Sequence, residues 1–128
     1  MRYTIAVDFD GVINSYSSGW TGPRSFPDPP VRGSIEWLHQ MVQKFDVVIL
    51  TTRARHFGAK WAIRKWLRKH SGYLYYEAPG FMGIESVRIT NKKIPALIYI
   101  DDRAWRFNGD GLPDAKTIHK LRPWNKEK

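Results

Sequence analysis

Apolar positions recur along this chain with two different periods, and the switches between them mark its elements. Tyr3, Ile5 and Val7, with Ala6, form a short apolar run that leads straight into Asp8-Phe9-Asp10-Gly11. Such a run reads as a buried strand with an acid where it ends. Residues 14–32 then break the pattern with Ser, Gly and Pro, including Pro27-Asp28-Pro29-Pro30. Pro29 and Pro30 cannot join a sheet ladder, so the 19 residues read as an extended loop, longer than most connections and of a length often tied to function. Its Trp20 and Phe26 either fold the loop onto the core or line the mouth of a site.

A 3.6-residue period returns over residues 34–44, where Ile35, Leu38, Met41, Val42 and Phe45 form one stripe and Ser34 can cap the start. The run Phe45-Asp46-Val47-Val48-Ile49-Leu50 then leads, largely apolar, into Thr51-Thr52-Arg53, the pattern of a buried parallel strand. Residues 57–70 form a second helix with Ala59, Ala62, Ile63, Trp66 and Leu67 facing inward. Its outward face carries Lys60, Arg64, Lys65, Arg68 and Lys69 with Trp61 among them, either a solvated face with Trp61 under the Lys65 stem or a contact surface for nucleic acid. Ser71-Gly72 ends that helix. A third strand is predicted over residues 73–77, a loop over 78–83 and a short strand over 84–89. The apolar run up to Ile100 is a further buried strand, and it ends in Asp101-Asp102. In the tail, residues 107–111 read as a turn, 114–121 as a short helix, and Pro123-Trp124 as a pin against the core. Asp110 and Asp114 fit turn and cap roles better than ligand roles.

Strands alternating with helices predict an α/β fold, a three-layer, Rossmann-like parallel sheet with helices on both faces. In such sheets ligands gather beyond the carboxyl ends of the strands. That is where Asp8, Thr51 and Asp101 all fall. Asp8 and Asp10, two residues apart with Gly11 permitting a sharp turn, can share a divalent cation or divide the work of nucleophile and general acid/base. The adjacent Asp101 and Asp102 repel one another unless a cation or a basic group compensates.

Four pieces in this order, DFDGV, then ILTTR, then Lys93, then YIDDRA, resemble the haloacid dehalogenase (HAD) superfamily, and the resemblance covers residues 3 to about 108. It implies a magnesium-dependent phosphatase acting through an aspartyl-phosphate. Asp8 would be the nucleophile, and Asp10 would protonate the leaving oxygen and then activate water. Thr51 (or Thr52) and Lys93 (or Lys92) would hold the transferring phosphoryl group, helped by the Gly11 amide. Magnesium would be held by Asp8, the Asp10 carbonyl and Asp101 or Asp102. The pairing of TTR with IDDR is also similar to the phosphatase half of polynucleotide kinase-phosphatases, which would give Arg53 a part in holding substrate. Neither inter-motif gap holds a separate cap domain, so residues 1–128 are expected to form one HAD-like domain with an open site.

Composition narrows the substrate. Only 12 acids face 21 Lys and Arg, a net charge of +9, and four of the acids sit in the motifs. The remaining surface is therefore basic and favours phosphate-bearing partners, nucleic acid or nucleotide. An open, basic site suits phosphomonoesters at nucleic-acid ends. The alternatives are a 5'-nucleotidase or other small-phosphomonoester phosphatase, with the Trp20 loop as a miniature lid, and a non-catalytic nucleic-acid-binding module. No run approaches the ~18 apolar residues of a membrane span. With no cysteine and no signal-peptide pattern, a cytoplasmic location is expected.

Overall fold

The computed structural model describes residues 2–72 and 83–124, so the strand predicted over residues 73–77 lies outside the described residues. Four parallel strands, β1 (Thr4–Val7), β2 (Asp46–Leu50), β3 (Arg88–Thr90) and β4 (Ile98–Ile100), form one sheet in the order β3-β2-β1-β4. The register sets Val7 beside Ile49 on one flank and beside Ile100 on the other. Asp8, Thr51 and Asp101 are each the next residue after a strand, and those three strands are neighbours. Among the described residues no helix is long and apolar enough to cross a membrane.

Alternation along the strands decides which face each side chain joins. Ile5, Val7, Val47, Ile49 and Ile89 belong to one buried cluster with Ile35 and Leu38 of α1 (Ser34–Met41), Val42 at its C-cap, and Ile63, Trp66 and Leu67 of α2 (Ala59–Ser71). The two helices also touch each other, so both cover the same face of the sheet. The opposite side is reached by Tyr99, whose ring lies 4.9 Å from Lys93 Nζ and whose hydroxyl donates to the Ile94 carbonyl. The expected helices on both faces are thus found on one face only among the described residues. The reason is the length of the β3–β4 connection: residues 91–97 are too few for a crossover helix, which takes a dozen or more.

Two local expectations change, and the tail helix forms as expected. Gly33, in the left-handed region at φ 81°, occupies the N-cap of α1, while the Ser34 hydroxyl donates to the Ile13 carbonyl instead. The strand predicted over residues 84–89 divides into a 3-10 turn (Ile84–Ser86) and β3. In the tail α3 (Ala115–Lys120) forms with Asp114 as its cap, accepting from the Thr117 N–H at 2.8 Å.

Candidate active site

Asp8 leaves β1 with its N–H bonded to the Ile100 carbonyl at 2.8 Å, which ties the start of the motif to β4. Phe9 turns inward, edge-on to Phe26 (5.3 Å) and Trp66 (5.2 Å), and its carbonyl accepts from Ile13 and Asn14. This anchor forces the chain to turn at Gly11, which adopts φ +87°. A Cβ there would lie 2.3 Å from Asp102 Oδ2, so glycine is required both for the backbone angle and for the approach of Asp102. The Gly11 N–H bonds the Asn14 carbonyl at 2.7 Å, and its own carbonyl accepts from Trp124 Nε1 at 2.5 Å. Its expected part as an amide donor to substrate is therefore corrected: the group is already paired within the loop. Trp124 pins the tail onto this turn.

Carboxylate oxygens of Asp8, Asp101 and Asp102 all lie within 4.8 Å of one another. Burial, followed by the charge of Asp101, pushes the Asp8 carboxyl up to about 7, against the pull of the Phe9 N–H that donates to it at 2.8 Å. Asp102 is raised as well, first by burial. Asp101 Oδ1 accepts from the Arg103 N–H, whereas the buried Asp102 Oδ1 has no hydrogen-bond partner among the described residues. Three hard oxygen donors, one of them orphaned, form a set that could hold a hard divalent cation.

Asp10 stands apart from that cluster. Its carboxylate accepts from Arg53 Nε at 2.6 Å and from Asn14 Nδ2 at 3.0 Å. The Arg53 guanidinium, with the residue only 1% exposed, stacks between Trp20 (4.6 Å) and Phe26 (4.7 Å) and donates to the Gly22 carbonyl at 2.6 Å. Arg53 is thereby enclosed by the 14–32 loop and takes no part in lining the crevice. The expected grip on substrate is corrected to a grip on Asp10 and on the loop. The loop is closed on itself by the buried Asp28, which accepts from the Ser18 N–H and hydroxyl.

A crevice of about 480 Å³ opens over the carboxyl ends of the strands, lined by Asp8, Asp10, Thr51, Thr52, Lys93, Asp101 and Asp102. Of the ten residues named for the site, Gly11, Arg53 and Lys92 are the three outside its lining. Lys93 lines the crevice and Lys92 does not. Thr51 is buried with its hydroxyl accepting from the Arg53 N–H at 3.3 Å, and the neighbouring Thr52 is exposed. Sequence reasoning missed Tyr16 and Asn91, which also line the crevice, and Asn14, which holds Asp10. Asn14 and Tyr16 sit inside a loop whose composition says only that it is irregular, and Asn91 follows β3 without any motif. Trp20 satisfies both readings offered for it, half exposed at the crevice rim and stacked on the buried Arg53. Comparison of the chain with family models, with curated proteins and with solved structures finds no match, so a functional reading rests on the geometry of this crevice.

Proposed function

We propose that this chain is a magnesium-dependent phosphomonoester hydrolase with a capless HAD-like fold, working through an aspartyl-phosphate. The observation that carries the reading is the meeting of Asp8, Asp101 and Asp102 in one crevice with Lys93 and Thr51. Structural acids have no reason to converge there uncompensated, since mutual repulsion and burial both oppose their charge.

An Asp8 oxygen forms the bond to phosphorus while the bond to the leaving oxygen breaks, and that oxygen takes a proton from Asp10. Water then attacks the phosphorus of the aspartyl-phosphate, giving its proton to Asp10 and returning Asp8 as a carboxylate. Arg53 and Asn14 fix the Asp10 carboxylate in position for both transfers. Lys93 and Thr51 offset the negative charge on the transferring group. Asp8, the Asp10 carbonyl, Asp101 and Asp102 would hold magnesium. When bound it would shield the anionic phosphate from the anionic nucleophile.

The test is turnover of a generic aryl phosphate with magnesium and with EDTA. Activity is expected only with the metal, and Asp8→Asn is expected to abolish it while leaving the far-UV spectrum and melting curve those of a folded protein. Normal turnover by Asp8→Asn would overturn the assignment of the nucleophile.

A further inference from the structure

Three large aromatic side chains, one of them at the rim of the crevice, stand in solvent. Trp20 at its rim is 54% exposed, Phe57 94% and Trp61 64%. The structure joins the segments that carry them: Trp20 packs against the His56 ring at 6.2 Å, and Arg24 donates to the Phe57 carbonyl at 2.9 Å. Phe57 immediately precedes Gly58, the N-cap of α2, and Trp61 lies in the first turn of that helix. The three rings thus mark a path that begins at the crevice and continues outward over the start of α2.

Cations flank the path. Arg64 and Arg68 are engaged with the segment around Glu85. Arg55, Lys60, Lys65 and Lys69 are exposed and make no ion pair among the described residues. Lys65 Nζ lies over the Trp61 ring at 5.2 Å, which covers one face of the indole and still leaves the residue largely open. Folding gains nothing from an almost fully exposed phenyl ring, and isolated exposed apolar residues are ordinary. Three rings in sequence, leading from a site rich in phosphate chemistry and bordered by unpaired cations, are not.

We infer that this surface binds single-stranded nucleic acid and delivers its phosphorylated end to the crevice. The inference rests on the phosphatase reading of that site and names its substrate class. Unpaired bases expose π-faces that stack on Trp20, Phe57 and Trp61 without regard to sequence, while Arg55, Lys60 and Lys65 meet the backbone phosphates. A duplex hides those faces. An acidic peptide would satisfy the cations and leave the rings unused.

Binding of fluorescein-labelled dT12, followed by anisotropy in EDTA, reads the surface without any turnover. Phe57→Ala and Trp61→Ala are each expected to weaken binding about tenfold, and Lys60→Glu to weaken it and flatten its dependence on salt. Lys44→Glu makes the same charge change at the opposite end of the sheet, just before β2, and is expected to leave binding unchanged. Melting curves confirm that each variant is folded. Absence of dT12 binding, an equal loss in Lys44→Glu and Phe57→Ala, or equally tight binding of a polyglutamate peptide of matched charge would each overturn the inference. Phosphorylated dT12 is further expected to exceed a mononucleotide in kcat/KM by at least about tenfold. If aryl phosphate is hydrolysed but the oligonucleotide holds no advantage, the nucleic-acid inference fails and the phosphatase stands. If dT12 binds as described and no phosphate ester is hydrolysed, the phosphatase reading fails, delivery of a phosphorylated end fails with it, and only the binding surface stands.

Discussion

Arg53 shows how much one buried side chain can organise. Its guanidinium supplies Asp10 with a charged donor at 2.6 Å, gives Trp20 and Phe26 a planar cation to stack on, and caps the Gly22 carbonyl. Position and chemistry are inseparable here, because a planar, always-charged fork is the group that can do all three at once. Arg53→Gln should leave Asp10 paired with Asn14 alone and release the loop. Removing one partner of a buried ion pair costs about 3–5 kcal/mol, and the partial exposure of Asp10 puts the expected loss toward the low end, measurable by urea unfolding. Turnover should fall about a hundredfold, the lower range for general acid/base catalysis, chiefly in kcat. Arg53→Lys should restore charge but not stacking and recover only part of either quantity. A variant with wild-type kcat would show that Asp10 needs no such support.

At the scale of elements, α1 and α2 meet through a buried polar contact within their apolar seam. His39 Nε2 lies 2.9 Å from Ser71 Oγ, and that hydroxyl donates to the Leu67 carbonyl at 2.6 Å. The hydroxyl proton is thereby committed, so Nε2 is the donor and Nδ1 the unprotonated nitrogen, buried without a partner among the described residues. Protonating Nδ1 would bury an unpaired charge, and burial accordingly depresses the His39 pKa, with Glu36 opposing it. Burial lowers His70 in the same direction. An unfolded histidine takes its proton near pH 6.5 while the native one declines it. The unfolded state therefore binds more protons as pH falls through 6.5, and stability is lost in that direction. Urea unfolding between pH 7 and 5 should show the loss, at most about 1.4 kcal/mol per pH unit for each histidine, and His39→Gln should flatten it. An unchanged slope in that variant would remove His39 as the cause.

For the whole molecule the deciding feature is a sheet that brings the ends of β1, β2 and β4 side by side. The acids gathered there carry an electrostatic cost that an oxygen-seeking cation would relieve. Asp8, raised to about 7, keeps a proton in the native state that the unfolded chain has released. Its contribution to stability is thus complete at low pH and is lost as pH rises through about 7. A cation competes with that proton, so magnesium should raise the melting temperature more at pH 8 than at pH 6. At ten times its dissociation constant the gain is about 1.4 kcal/mol. Asp101→Asn and Asp102→Asn should each reduce the shift. A shift equal at both pH values, or insensitive to both substitutions, would separate magnesium from this cluster.

What could be read along the chain is what depends on local pattern. Apolar period located β1, β2, β4 and both helices of the core, because burial on one face imposes its repeat on the sequence. The strand-ending acids and threonines announced themselves in the same way, since a strand that runs into polar residues must surface where they begin. Three things were decided only in three dimensions. Gly11 looked like a phosphate-facing amide, yet its missing Cβ makes room for Asp102, ninety-one residues away. Arg53 looked like a substrate ligand, and a loop of no regular pattern folded over it. The seven residues 91–97 leave no room for a crossover helix between β3 and β4, a consequence of crossover length visible only once β3 and β4 are known to be parallel members of one sheet. Local pattern reports how each residue meets its own element; which distant group comes to lie against it depends on how the elements pack, and no periodicity encodes that.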